Sequence, residues 1–298
     1  MRILVSGASG LVGGALLPAL REGGHTANRL VRRGGTAAPG DVGWEPEKQW
    51  IESGGLEGAE AIVHLGGASI AGGRWNDERK RLLRSSRIEA TRFLVGALGK
   101  LQRPPRTLIS ASAVGYYGNR GDEPLTEASA PGNDFLAQLA RDWEAESQRA
   151  AQMGMRVVCL RFGVILSPAG GALKQMLFPF RVGAGGKIGT GRQWMSWLTL
   201  PEAVRIIQFA LATPAVREPV NAVAGAVTNT EFTKTLASVL KRPAIFPLPA
   251  FAARLLLGEM ADALLLSSAR AVPQRLQSLG YQFRHASLEP ALRALLEA

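Results

Sequence analysis

The sequence predicts an α/β fold: a doubly wound parallel sheet with a smaller lobe after it. Three observations carry that prediction. Short apolar runs alternate with helical patterns up to residue 163. A glycine-rich turn stands between the first apolar run and the first helix. Beyond Gly163 the rhythm changes, with more Pro, Gly and aromatic residues in 164–200 and 224–298.

Residues 2–6 are a short apolar run, a buried strand by length. Ala15, Leu16, Ala19 and Leu20 then recur at helical spacing until Gly23-Gly24 stops the helix. Pro18 falls inside it and is expected to kink it or move its boundary. Thr26 to Val31 reads as a second strand, ending in Arg32-Arg33, and residues 34–41 as a Gly/Pro-rich loop. Ala61 to Leu65 is a buried strand closed by Gly66-Gly67. A long helix runs from about Asp77 to Gly99, with Leu82, Leu83, Ile88, Phe93, Leu94 and Leu98 on its apolar side. Pro104-Pro105 precedes a strand from Thr107. Residues 118–133 form a polar loop, and 134–153 a helix with Asn133 or Asp134 as N-cap. Arg156 to Phe162 is a further strand, and Pro219 to Val223 is a candidate to rejoin the sheet. The expected division is a dinucleotide-binding domain over 1–163, with 201–223 returning to it, and a smaller substrate lobe over 164–298.

The chain has 298 residues, 46% hydrophobic and 20% charged, which is globular composition. No apolar run reaches the ~20 residues of a membrane helix, and no signal peptide is expected ahead of the first strand, so a cytoplasmic protein without membrane contact is expected. The single cysteine, Cys159, lies in the apolar run Val157 to Leu160 and reads as a buried thiol. A net charge of +11 raises nucleic acid as a partner. Against it, only seven of the 35 basic residues are lysines and the charges are spread along the chain. No recognition module for nucleic acid is present. A phosphate-bearing small molecule accounts for part of the charge equally well.

The turn Gly7-Ala8-Ser9-Gly10-Leu11-Val12-Gly13 sits where a dinucleotide site needs it, after a strand and opening a helix. Gly7 permits a tight turn, Gly10 lets the backbone approach a pyrophosphate, and Gly13 lets the helix pack on the strand. The helix start offers unpaired N–H groups to the phosphates. Where the second strand ends, NAD sites place an acidic residue for the ribose 2′-hydroxyl. Here Arg32-Arg33 stands instead, with no carboxylate before Asp41. Arginine suits a 2′-phosphate, so NADP(H) is the expected cofactor.

The spacing Gly7-x-x-Gly10-x-x-Gly13 resembles the extended short-chain dehydrogenase/reductases. More specifically, the chain resembles their atypical, epimerase-like branch with a C-terminal domain of unknown function, described as NAD-dependent epimerases. The segments that carry the likeness include His64 to Ile70, Ser86-Arg87-Ile88, Ser112 to Gly118, Asp142-Trp143-Glu144, Leu160 to Leu166 and Gly191 to Trp197. They extend to Pro247 to Ala250 and Gly258-Glu259 near the C-terminus. The resemblance implies a Rossmann-type lobe with a small lobe over the nicotinamide end. It also implies cofactor contacts from Ser9, Leu11 and Val12, from Leu65, Gly66 and Gly67, and from Arg87, which stands where relatives often carry an assisting asparagine.

The superfamily's usual catalyst is a serine with a Tyr-x-x-x-Lys pair on one helix face. The lysine lowers the tyrosine pKa so that the phenolate takes a hydroxyl proton. Ser112 matches the serine. The pair is missing: Phe135 to Glu146 contains neither Tyr nor Lys, and no lysine lies between Lys100 and Lys174. Tyr116 and Tyr117 are the remaining candidates, with Arg87 or Arg161 to favour a phenolate. Asp142 and Glu144 are expected to face solvent, as helix carboxylates usually do. Trp143 is expected as a core anchor, and His64 as a packed, hydrogen-bonded residue. His25, His64 and His285 show no ligand spacing, and no metal is expected. In the second lobe the glycine run 185–191 offers Lys187 and Arg192 to a substrate phosphate or carboxylate.

Two functions follow. One is an NADP(H)-binding, epimerase-like oxidoreductase acting on a polar, sugar-nucleotide-like small molecule. The alternative is a catalytically silent protein that holds or senses NADP(H). The oligomeric state is left open.

Overall fold

The computed structural model describes residues 1–297 apart from 33, 34 and 36. In chain order the strands and helices are β1 (Arg2–Ser6), α1 (Leu11–Glu22), β2 (Thr26–Val31), β3 (Val42–Glu45), β4 (Trp50–Ile51), β5 (Ala61–His64), α2 (Asp77–Arg84) and α3 (Ala90–Leu98). They continue as β6 (Thr107–Ala113), β7 (Pro124–Leu125), α4 (Phe135–Gln148), β8 (Arg156–Phe162), β9 (Val164–Leu166), α5 (Gly171–Arg181), β10 (Trp194–Thr199) and α6 (Leu200–Ala212). The rest are β11 (Glu218–Ala222), β12 (Gly225–Thr228), α7 (Asn229–Leu240), α8 (Ala250–Leu257), α9 (Glu259–Ala261), β13 (Arg270–Ala271), α10 (Gln274–Ser278) and α11 (Leu288–Leu296).

The main sheet runs β11-β8-β6-β5-β1-β2-β3-β4. Every pairing in it is parallel except that of β4 with β3. The chain leaves β1 toward β2 and β3, then crosses back to β5 and on to β6, β8 and β11. The winding therefore reverses between β1 and β5, the place where such sheets hold ligands beyond their C-terminal edge. Strands covered on both faces must be apolar on both, and they are. In β1, Ile3 and Val5 pack with Leu16, Leu17 and Leu20 of α1 and Ile206 and Ile207 of α6. On the other face Leu4 packs with Ile62, Leu94, Leu98 and Leu108.

A three-stranded sheet, β12-β10-β9, forms the base of the second lobe. Its core gathers Leu173, Leu177, Phe180, Trp197, Phe232, Leu236 and Leu292 from α5, β10, α7 and α11.

Three local expectations need correction. Helix α1 continues through Pro18 to Glu22, so the proline sets no boundary. The long helix expected from Asp77 is two α-helices joined by a π-helical turn over Ser85–Glu89. Such turns occur often at functional sites, and this one carries Arg87. Strands β3 and β4, four and two residues long, were not anticipated, because runs so short carry no readable periodicity.

Candidate active site

The turn after β1 has the geometry its glycines require. Gly7 has φ +67°, and a Cβ there would lie 2.7 Å from the Leu65 carbonyl carbon. A Cβ on Gly13 would lie 2.4 Å from the Gly7 oxygen, so helix and strand meet at a distance only glycine allows. Gly10 is the N-cap of α1, and no side chain caps that helix or places an acid in its first turn. The amides around Leu11 and Val12 thus keep their donors for a ligand.

Beside this turn opens a cavity of about 580 Å³, lined by Gly7, Ser9, Arg29, Arg32, Gly66 and Gly67 among others. Arg32 stands at its rim, exposed and ion-paired with Glu47 at 2.7 Å. Arg33 lies outside the described residues. Arg29, from within β2, also borders the cavity, and its guanidinium hydrogen-bonds Asp41 Oδ2 through Nε at 2.8 Å. Asp41, the acid nearest in sequence, is therefore committed to Arg29, to the Arg29 amide and to the Ala38 amide. A larger cavity of about 720 Å³ lies between α3 and the β3–β4 hairpin, away from the turn and from Ser112.

A buried polar chain underlies the loop after β5. The Gly66 amide donates to Ser6 Oγ at 3.3 Å, and Ser6 Oγ meets His64 Nδ1 at 2.6 Å. His64 Nε2 meets Thr91 Oγ1 at 2.9 Å, and that oxygen accepts from Trp143 Nε1 at 2.9 Å. Burial pushes His64 down to about 4, so it is neutral. It is the packed histidine the sequence suggests, and Trp143 is a core anchor.

Arg87 lies beneath the same loop, 8% exposed. It donates to the carbonyls of Ala68 at 2.9 Å and Leu83 at 3.3 Å, and lies 5.3 Å from the Trp143 ring centroid. A Cβ on Gly67 would come within 3.0 Å of its guanidinium carbon. Among the described residues no carboxylate pairs with it. Burial, then the charge of Arg79, lowers its pKa to about 10. A buried cation without a counter-charge favours a neighbouring anion.

Ser112, next to last in β6, belongs to a second network. Its hydroxyl donates to Glu144 Oε1 at 2.6 Å. Arg161 holds the same carboxylate with two bonds of 2.8 Å, from Nε to Oε1 and from Nη2 to Oε2. Both side chains are buried, 3% and 7% exposed. Glu144 is therefore not the solvent-facing carboxylate expected. Its spacing from Ala137 and Ala140 puts it on the buried face of α4 with Ser147, and the cation in β8 makes that burial tolerable. Burial works against the charge on Arg161, but Glu144 outweighs it and the pKa is raised. Asp142, two residues earlier, is half-buried and bonded to Arg84 at 2.8 Å.

The two tyrosines differ. Tyr117 is fully buried. Its hydroxyl donates to Asn221 Oδ1 at 2.7 Å and accepts from Arg161 Nη1 at 3.0 Å. Burial, only partly offset by Arg161, raises its pKa. Tyr116 is half-buried, and the Arg161 guanidinium carbon lies 3.5 Å from its ring centroid. The structure thus joins Ser112, Tyr116 and Tyr117 through Arg161. Lys187 and Arg192 are exposed on the loop after α5, and among the described residues no bond links either to this network.

With the site laid out, its relatives can be compared. The signature of the NAD dependent epimerase/dehydratase family matches residues 3–224, and a domain of unknown function (DUF1731) matches 248–295. The chain belongs to the NAD dependent epimerase/dehydratase family. Within it, the "Epimerase family protein Mb2239" of Mycobacterium bovis is 44% identical over 97% of this chain and 96% of that protein. The crystal structure of human epimerase family protein SDR39U1 (isoform2) with NADPH matches at TM-score 0.91 and 33% identity, over 100% of this chain and 99% of that one. A nucleoside-diphosphate sugar epimerase from Corynebacterium glutamicum matches at TM-score 0.82 and 35% identity, over 99% of this chain and 58% of that one. The α/β architecture is the Rossmann-like, NAD(P)-binding fold of this family. Among the described residues no helix is long and apolar enough to cross a membrane, and no group of three His, Cys, Asp or Glu could hold a metal ion.

Proposed function

We propose that the chain is an NADP(H)-dependent, epimerase-like oxidoreductase acting on a polar small molecule that carries a hydroxyl, of sugar-nucleotide type. The observation that carries this reading is the Ser112–Glu144 hydrogen bond at 2.6 Å. Ser112 commits its proton to a buried carboxylate, so it meets a ligand as an acceptor. An acceptor at the C-terminal end of β6 selects a substrate that donates, which an alcohol does.

The cofactor fits the residues present. The uncapped start of α1, with Gly7, Gly10 and Gly13, holds the diphosphate. Ser9, Gly66 and Gly67 line the cavity beside it, Leu11, Val12 and Leu65 would bring their backbone to the cofactor, and Arg87 supplies charge beneath the loop. Arg32, with Arg33, holds the 2′-phosphate by displacing Glu47, an exposed partner that costs little to give up. The human relative crystallised with NADPH supports that choice. When bound, the nicotinamide supplies or accepts the hydride. The protein's own task is the proton. Tyr116 moves it at its phenol oxygen, while Ser112 holds the substrate hydroxyl. Tyr117, Glu144 and Arg161 are positioning residues: they fix Ser112 and the Tyr116 ring. Lys187 and Arg192 hold a substrate phosphate or carboxylate. The nucleoside-diphosphate sugar epimerase relative supports that substrate class.

The test is turnover of nucleoside-diphosphate sugars, read as NADPH absorbance or product sugar, in wild type, Ser112→Ala and Tyr116→Phe. Loss in both variants with NADPH binding intact supports the reading. Turnover that survives both removes the assignment. NADPH binding without turnover of any sugar nucleotide favours the catalytically silent alternative.

A further inference from the structure

Large apolar side chains protrude from three adjoining elements of the second lobe. Phe178 is 75% exposed and Val182 61%, one helical turn apart at the end of α5. Ile245 and Phe246 are 70% and 61% exposed. On α8, Phe251, Leu255 and Leu256 are 73%, 75% and 67% exposed. The elements are continuous. The chain leaving α5 pairs with the second element through Ala184–Ala244 and Ile188–Leu248 bridges, and the Phe246 amide donates to the Gly185 carbonyl at 3.2 Å. Residue 250 then opens α8 directly. Among the described residues nothing buries this outward apolar face.

The segments that carry these side chains hold charge of one sign. Segments 168–193 and 241–258 contain no Asp or Glu. They contain Lys174, Arg181, Lys187, Arg192, Lys241, Arg242 and Arg254. Arg254 is matched by Asp262. The other six are exposed, and among the described residues none is ion-paired.

We propose that this face docks the protein on an anionic phospholipid membrane. Protruding aromatic and aliphatic side chains enter the boundary between headgroups and acyl chains, and flanking cations pair with the headgroups. A second copy of the chain fits less well, since it would set the unpaired cations Lys174, Arg181, Lys241 and Arg242 against their like. The proposal departs from the expectation of no membrane contact: the absence of a spanning segment does not bear on docking at the surface. It is independent of the cofactor reading.

The test is co-sedimentation of the full chain with vesicles of phosphatidylcholine alone and of phosphatidylcholine with phosphatidylglycerol at about three to one. Wild type should pellet with the anionic vesicles only, and less as salt rises. Arg181→Gln with Lys241→Gln and Arg242→Gln should weaken binding on the order of 100-fold. Phe251→Ser with Leu255→Ser and Leu256→Ser should weaken it at least about tenfold. Both variants should keep wild-type circular dichroism and NADPH binding, because the altered side chains are exposed. The proposal is overturned if wild type stays in the supernatant at low salt, or if both folded variants pellet as wild type does. It is equally overturned if light scattering shows a dimer that the α8 variant dissolves while no vesicles are bound.

Discussion

Replacing Glu144 by Gln removes the carboxylate that pairs with Arg161 in a site 3% and 7% exposed. The guanidinium then lies buried opposite a neutral amide, and Ser112 loses the acceptor it meets at 2.6 Å. Removing one partner of a buried pair costs about 3–5 kcal/mol, because the other charge remains desolvated. That is a large share of the about 5–15 kcal/mol that holds a native protein together. Melting should fall by roughly 10 °C, at about 2–4 °C per kcal/mol for chains approaching this size. Changing Arg161 to Met as well removes both charges. The double variant should then be less destabilised than the sum of the singles by about 2 kcal/mol or more. Urea unfolding of the four proteins closes the cycle. A Glu144→Gln protein within about 0.5 kcal/mol of wild type, or singles that add to the double, would refute the account of this pair.

Further outcomes are expected. Tyr117→Phe should lower stability by about 1–3 kcal/mol, since it strips hydrogen bonds from buried Asn221 and Arg161, yet should leave more turnover than Tyr116→Phe; the reverse ordering in a paired melting and rate measurement exchanges their roles. His64 is buried neutral, its pKa lowered from 6.5 to about 4. The unfolded chain therefore binds a proton below pH 6.5 that the folded chain refuses, and stability present above that pH is lost as pH falls toward 4. Between pH 7.5 and 5 this amounts to about 2 kcal/mol, read by urea unfolding, and it should shrink in His64→Asn. Arg32→Ala, alone and with Arg33→Ala, should weaken NADPH by about 10- to 100-fold and barely change NADH. Equal losses for the two cofactors in fluorescence titrations would overturn the 2′-phosphate assignment.

Much of the first lobe is readable from residue order. β1 and β2 have the bounds that their apolar runs suggest, and Asp134 caps α4 as its side-chain chemistry allows, accepting from the Ala137 amide at 2.9 Å. The glycine turn is equally plain, because Gly7 and Gly13 answer distances that no other residue satisfies. What stayed hidden depends on partners far apart in sequence. Glu144 looks like a surface carboxylate until Arg161, 17 residues later, is seen to need a counter-charge. The signal was there: a lone arginine inside the apolar strand Val157 to Phe162 demands a buried acid. Arg29 sits inside the run Thr26 to Val31, and nothing in that run announces that it borders the cavity. The Ser6–His64–Thr91–Trp143 chain spans four elements, and no local pattern foretells such a path. The π-helical turn at Ser85–Glu89 adds one residue to a turn and shifts Arg87 inward, which a 3.6-residue period cannot express.

The central claim is that bare backbone at the start of α1 receives the diphosphate of NADP(H). Titrating NADPH fluorescence against wild type and Gly10→Val tests it most directly, with far-UV circular dichroism as the check on folding. A Cβ at position 10 meets only the Gly7 oxygen, at 3.2 Å, so the fold should tolerate the change while the ligand is shut out. Wild type should bind, and a folded Gly10→Val protein should bind at least about 100-fold more weakly. A folded variant that binds NADPH as wild type does, or a wild type that does not bind it, would contradict the account.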